Sequence, residues 1–390
     1  ANIRSIAMCQ AFPDIMYSGT EPGEIYKSID GGDNWTNISS SIVTAYTTGA
    51  VTSNASIEGI AVDFTNPDKV YAVSGNEIFI SSDGGLTWAS NVFANAPLFG
   101  YIETPNEIQI DPNNPNRILI AGLDGLHQSI DGGLTWSQVF TETCFDLKFQ
   151  SGNTNTIFVL RDNPITDIHE FVRSTDGGTN WTVMTNGWYN STDSNRDIIG
   201  GRIAVSPANP SIIYAFLIGN SKAGDEGFIG LYKSIDGGDS WLNTQGFDGG
   251  PYTAAHPNLI ASNPLGGFNQ GMYNCALMVS NTDADQVLVG GINLWKTVDA
   301  GLTFESVVDY YIPGLFDMHV DMQDFRSHGN EYWVTCDGGI FKSTDFFSTQ
   351  PDFKMTGLHA ADFWGFASGW NFDLLAGGTF HNGFDVYAES

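Results

Sequence analysis

Positive charge is what this sequence has least of. Only 15 of its 390 residues are Lys or Arg, against 44 Asp or Glu, for a formal charge of −29. Nucleic acid and anionic membrane surfaces are held through clustered Lys and Arg, so neither is expected as a partner. The acidic residues form no long like-charged run and are spread over turns and loops, which suits solubility in an extracellular setting. Long apolar runs are also missing: no stretch approaches 18 apolar residues, so direct membrane insertion through a helix is not expected. Cysteine is scarce. Cys9, Cys144, Cys275 and Cys336 include no C-x-x-C pair, so a zinc site is not expected, and nothing calls for a metal or other cofactor. They read as small buried hydrophobes, although a Cys9–Cys336 bridge could staple the first repeat to the last. The chain opens at Ala1 with no charged n-region or apolar h-region, as expected of a mature secreted chain or an excised fragment.

What is abundant is glycine, 45 residues, alongside 42% hydrophobic residues. That combination gives an apolar core and many tight turns, an all-β signature. A length of 390 residues is long for one compact core, but repeats that pack only on their neighbours escape that limit.

A repeat is present. Ser28-Ile-Asp30-Gly-Gly-Asp-Asn-Trp35 recurs as Ser81-Ser-Asp83-Gly-Gly-Leu-Thr-Trp88, Ser129-Ile-Asp131-Gly-Gly-Leu-Thr-Trp136, Ser174-Thr-Asp176-Gly-Gly-Thr-Asn-Trp181 and Ser234-Ile-Asp236-Gly-Gly-Asp-Ser-Trp241. A sixth copy, Thr297-Val-Asp299-Ala-Gly-Leu-Thr-Phe304, is weaker, and a seventh keeps only Ser343-Thr-Asp345. The chemistry is that of a hairpin staple. The carboxylate accepts backbone N–H groups as in an Asx turn, the glycines supply positive φ, and the aromatic ring folds back between strands. These aspartates and indoles are therefore structural. Around each copy lie an alternating strand such as Ile57–Asp63, an Asn-Pro turn at Asn66-Pro67, Asn114-Pro115 or Asn209-Pro210, and an apolar strand such as Ile212–Phe216. Four short strands per ~50 residues is the size of a propeller blade. The expected fold is an all-β propeller of about seven four-stranded antiparallel blades over residues 1–355. Residues 356–390 would form a partial further blade or ring-closing strands, and the ring could be the first part of a larger or tandem propeller.

The turns resemble the Asp-box (BNR) repeats of sialidases, xyloglucanase-like glycosidases and sortilin-like receptor domains. The stretches His319–Asp324, Cys336–Ser343 and Gly357-Leu-His359 are similar to large propeller proteins secreted by Bacteroidota. That resemblance implies export, often by the type IX route, a place outside the cell or at its surface, and a second propeller or a surface assembly as neighbour. It leaves function open, because one blade type serves enzymes and binders alike. A sialidase needs an arginine cluster, usually with Arg-Ile-Pro near the first blade. The seven arginines, Arg4, Arg117, Arg161, Arg173, Arg196, Arg202 and Arg326, include no such triplet. An inverting glycosidase needs two carboxylates flanking the scissile bond. Where the xyloglucanase-like family carries its first aspartate this chain has Glu21 beside Pro22, and where the second would lie Thr379–Phe384 has no carboxylate. His319, Asp321 and Asp324 could suggest a metal site, and the spacing of Asp283 and Asp285 a Ca²⁺ turn. In each case polar side chains bonded to neighbours are the simpler reading.

Binding is the stronger expectation. Long aromatic connections on a rigid scaffold usually carry function. The candidate ligand-contacting residues are Phe99 and Tyr101, Trp188 and Tyr189, Tyr252, Tyr310 and Tyr311, with His319 on an inner strand; Phe93 and Phe268 lie in the same connections. Exposed aromatic rings beside Asn and Asp suit a glycan or protein ligand. The sequence thus points to a non-catalytic binding or adhesion module. A glycoside hydrolase of the xyloglucanase-like kind and a structural component of an extracellular assembly are the alternatives.

Overall fold

A computed structural model describes residues 3–21, 23–39, 56–74, 77–92, 107–163, 165–166, 168–190, 198–219, 227–246, 252–254, 256–271, 273–312 and 316–358, and the backbone strands Phe363–Ser368, Leu374–Thr379 and Phe384–Ala388. Among the described residues every regular element is a strand, and no helix is long and apolar enough to cross a membrane.

Seven four-stranded antiparallel sheets follow one another, each with its strands paired in chain order. The first blade is β1 (Ile3–Cys9), β2 (Phe12–Thr20), β3 (Ile25–Ser28) and β4 (Thr36–Asn37). The first strands of the next six are β5 (Gly59–Val62), β9 (Glu107–Asp111), β13 (Cys144–Gln150), β17 (Ile198–Val205), β21 (Ala276–Val279) and β25 (Met322–His328). These seven strands touch in sequence around a ring, and β25 returns to β1. The protein is therefore a seven-bladed propeller whose first strands line a central channel. An eighth, three-stranded sheet follows: β29 (Phe363–Ser368), β30 (Leu374–Thr379) and β31 (Phe384–Ala388).

Patterning explains the packing. A middle strand of a blade is covered on both faces by neighbouring blades, so it reads as a continuous apolar run. Ile213–Gly219 is buried at every position. A fourth strand lies at the rim, and Thr36–Asn37 is short and exposed. Hydrophobic clusters fill the seven inter-blade interfaces, for example Tyr214, Phe216, Val287 and Val289 between blades five and six.

The acidic turns clasp themselves. Ser28 Oγ donates to Asp30 Oδ1 at 2.8 Å and accepts from Gly32 N at 2.9 Å, while Asp30 Oδ1 accepts Asn34 N at 2.9 Å. The carboxylates of Asp83, Asp131, Asp176, Asp236 and Asp299 repeat this bond to the backbone four residues on. The degenerate seventh turn keeps the geometry, with Phe347 N on Ser343 Oγ at 2.8 Å. There Phe346 and Phe347 occupy the glycine positions at φ 55° and 56°, strained for a side chain, and both rings are buried. Cohesion of those rings offsets the backbone cost. The glycine after the aspartate ties the turn to the first hairpin of its own blade: Gly84 N meets Asp68 O at 2.9 Å and Gly132 N meets Asn116 O at 2.8 Å.

The ring closes by the contacts used between other blades. Trp241 N donates to Asn186 O at 2.9 Å across blades four and five, and Trp35 N donates to Thr356 O at 2.8 Å across blades seven and one. Trp333 is buried against the first blade, where a Cβ on Gly32 (φ 84°) would meet its ring at 2.9 Å. The disulfide expectation is corrected: Cys9 and Cys336 are unpaired and buried, as are Cys144 and Cys275. Cys9 Sγ instead lies 3.2 Å from Asp63 O.

The turns carry a pH prediction. Hydrogen bonds from the Thr87 and Thr135 side chains, and from the Asn180 backbone, hold Asp83, Asp131 and Asp176 down at about 2. A depressed carboxyl stabilises the fold above the unfolded value near 4 and loses that contribution as pH falls through the folded value. Denaturation midpoints are expected to fall between about pH 4 and pH 2, and the slope flattens when these aspartates become Asn.

Candidate functional site at the channel mouth

In a four-stranded meander the blade-to-blade connections and the turns between second and third strands share one face. The acidic turns lie on the opposite face. Glu21, Tyr273, Asp337, Phe268, Tyr310 and Tyr311, described below, lie in such connections and turns, on the mouth face.

At the mouth, side chains from blades one, six and seven meet. Arg4, near the start of β1, donates from Nη2 to Glu21 Oε2 at 2.9 Å and from Nη1 to Gln323 Oε1 at 3.1 Å. Its guanidinium lies 4.3 Å from the ring centroid of Tyr273, a cation–π contact. Tyr273 Oη donates to Asp337 Oδ1 at 3.0 Å, and Gln323 Nε2 donates to the same oxygen at 3.1 Å. Asn274 Nδ2 donates to Asp321 Oδ1 at 2.6 Å. Burial, and next the charge of Asp321, push the Asp337 carboxyl up to about 7 against its two hydrogen bonds. Burial also raises Asp321, which sits at φ 68°, and Glu58 beside Arg4. A non-glycine residue held in that backbone region marks a constrained spot.

Below the mouth the channel holds a charge network around a cavity of about 240 Å³. Lys148 Nζ lies 2.7 Å from Asp146 and 3.1 Å from Glu107. Arg326 lies 3.0 Å from Asp324 and 3.7 Å from Glu107. Burial works against ionisation of Glu107, yet Lys148, Arg326 and Arg202 hold its carboxyl well below the usual range. Asp146, wholly buried, accepts Ile203 N at 2.7 Å, and burial leaves it raised.

The sequence-derived candidates divide. Phe99 and Tyr101, with Phe93, lie outside the described residues. Trp188, Tyr189 and Tyr252 are buried, which corrects the expectation that they face solvent. Trp188 packs edge-on to Trp241 at 4.7 Å and its Nε1 donates to His169 O at 2.7 Å, so it extends a blade interface. Tyr252 packs in the cluster between blades five and six. Tyr310 and Tyr311 are 48% and 56% exposed, and Phe268 is 47% exposed. Phe268 meets Tyr310 edge-to-face at 5.4 Å, and Tyr310 meets Tyr311 at 4.9 Å. The corner they form is pre-set, because Asn293 Oδ1 accepts Tyr310 N at 2.8 Å and Asp309 Oδ1 accepts Tyr311 N at 2.8 Å. His319 lines a neighbouring cavity of about 560 Å³ together with Tyr310. His319, Asp321 and Asp324 do not converge as ligands: they bond respectively to Val320 O, Asn274 Nδ2 and Ile6 N. Asp285 pairs with Lys233 at 3.0 Å, and Asp283 caps its own turn.

Arg4, Tyr273, Asp337 and the channel network were missed by sequence reasoning. The available signal was polar residues interrupting strands that are otherwise apolar, such as Glu107 and Gln109 in β9.

The architecture has solved counterparts. It resembles a GH74 xyloglucanase. The Xanthomonas campestris enzyme matches with a TM-score of 0.69 at 18% identity, over 97% of this chain and 59% of that one. The Niastella koreensis GH74 enzyme matches at 0.67 and 15% identity, over 99% and 58%. The chain therefore spans about three-fifths of the length of these enzymes. A YCF48 propeller bound to D1 peptide matches at 0.54 and 11% identity, over 87% and 92%. At such identities the likeness is one of fold. No family model matches the sequence, and no curated protein does.

Proposed function

We propose that the chain is an extracellular or cell-surface Asp-box propeller that binds a glycan or protein ligand on its mouth face, with residues 1–355 as the binding unit and 356–390 as a partial further blade. One observation carries this reading. Phe268, Tyr310 and Tyr311 stand exposed on a fixed corner, whereas the carboxylates of the repeated turns are spent on their own backbone. Exposed aromatic groups on a rigid support suit recognition. Structural neighbours include propellers bound to the D1 peptide and to the N-terminus of ribosomal protein L10, and xyloglucanases. The test is a glycan and peptide array with the intact chain. Ligands retained by the parent are expected to bind about tenfold more weakly to Tyr311→Ala or Phe268→Ala, a typical loss for a central aromatic contact, with the thermal midpoint unchanged. Retention unaffected by either change would remove the site.

A glycoside hydrolase is the second reading, favoured by the mouth cluster. Asp337 carries its proton to about pH 7 a few side chains from the Arg4–Glu21 pair, and inverting hydrolysis needs one acid and one base. Release of reducing ends from xyloglucan, abolished in Asp337→Asn, would establish it.

A further inference from the structure

We infer that the ligand of the aromatic corner is cationic: a lysine- or arginine-bearing peptide segment whose side chain enters the cavity beside Tyr310. The inference rests on the binding reading above and names its partner.

Ring geometry is the first argument. A saccharide binds an aromatic side chain by lying flat on one face, and a glycan chain needs such faces repeated in a common plane. Here successive rings stand at 87° and 79° to one another. Perpendicular rings make a corner, which offers ring faces from two directions to a compact group, and a cation over a ring face is attracted by its quadrupole.

The cavity behind the corner is the second argument. Val308, Ile312, Phe316, Met318 and Val320 supply the apolar part of its walls, and among the described residues no Lys or Arg lines it. Two carboxylates do, that of Asp309 and that of Asp317, of which Asp317 is the uncommitted one. Its backbone is fixed by Gln350 at 2.8 and 3.3 Å, and its carboxylate enters no ion pair among the described residues. The neighbouring Asp309 is already committed to the Tyr311 and Ile312 N–H groups. A partly apolar slot with one uncommitted negative charge and aromatic faces matches a long aliphatic stem that ends in a cation. Among the described residues a carboxylate or phosphate would find no Lys or Arg partner there.

The path out of the cavity is the third argument, and it favours an extended chain over an isolated amine. His319 lines the cavity and packs so closely on Gly338 that a Cβ on the glycine would collide with it. Asp337 is the next residue, followed through Tyr273 and Arg4 by Glu21. A segment with several cationic groups can therefore run from the corner to the acidic mouth. The chain's excess of 44 acidic over 15 basic residues steers such a segment inward.

The test uses the intact chain with fluorescent hexalysine and hexaarginine, hexaglutamate, a neutral β-glucan hexasaccharide and spermine, read by anisotropy. The basic peptides are expected to bind, and binding weakens as salt rises past the point where the Debye length falls to about 3 Å. Tyr310→Ala and Asp317→Asn each weaken it about tenfold, the range of a partly desolvated cation–π or charge-assisted contact. Both positions are exposed, so thermal midpoints should match the parent. Glucan binding lost in Tyr310→Ala, with the basic peptides inert, overturns the cationic assignment and leaves the binding face standing. Spermine binding as tightly as the peptides overturns the peptide assignment. If no probe is sensitive to Tyr310→Ala, the inference and the binding reading both fall.

Discussion

Replacing Lys148 with methionine is expected to cost about 3–5 kcal/mol of stability, the range for removing one partner from a buried ion pair. Lys148 is the cation shared by Asp146 at 2.7 Å and Glu107 at 3.1 Å, both nearly inaccessible. Methionine keeps the stem and deletes the charge. Asp146 retains backbone N–H donors at Ile203 and Leu147 and the charge of Arg202, and Glu107 keeps Arg326 at 3.7 Å. Without Lys148 the Asp146 carboxyl rises further, and a raised folded value destabilises only above the unfolded value near 4; the Glu107 carboxyl climbs from about 2, and the stabilisation it gives up is already present at pH 4. The deficit should therefore be smaller at pH 4, where only the Glu107 share counts, and full at pH 8. Denaturant midpoints at the two pH values, with the slope unchanged, check it. Equal deficits at both would mean that packing rather than charge was lost.

Trp333→Ala is expected to be as damaging, by about 3–5 kcal/mol for truncating a fully buried large aromatic. The residue packs with Ile3, Met16, Tyr26 and Trp35 across the junction of the last and first blades. Because that junction repeats the contacts of the others, the loss should resemble that of Phe216→Ala between blades five and six. Hydrogen exchange distinguishes the two positions: β1 and β25 should lose protection first in Trp333→Ala, and β17 and β21 in Phe216→Ala. Unfolding of all blades at one midpoint in both variants would show that the ring opens as a single unit.

The ring was legible because its signal is local. Asp30, its two glycines and Trp35 satisfy one turn within eight residues, and the same solution returns four times intact and once, at Asp299, in weaker form. The seventh turn was only half legible, since Phe346 and Phe347 hold a glycine conformation through burial that no turn rule expresses. The candidate site was less legible. Connection length and aromatic content selected Tyr310 and Tyr311 but equally Trp188, Tyr189 and Tyr252, and depth depends on how a connection folds back on its blade. Trp188 goes inside because His169 O is there to accept its indole N–H. The mouth cluster was invisible for another reason: Arg4 is hundreds of residues from Tyr273 and Asp337, and only ring closure brings it to them.

That closure has a consequence for how the chain can be rearranged. Each blade is one uninterrupted segment, and among the described residues no strand is lent from one end of the ring to the other. Joining residue 358 to residue 3 by a short linker, without the three-stranded sheet that follows, and reopening the chain between blades four and five would leave all seven four-stranded sheets whole. Circular permutants at any of the seven junctions should therefore share one architecture, and the mouth could be presented from whichever blade a fusion requires.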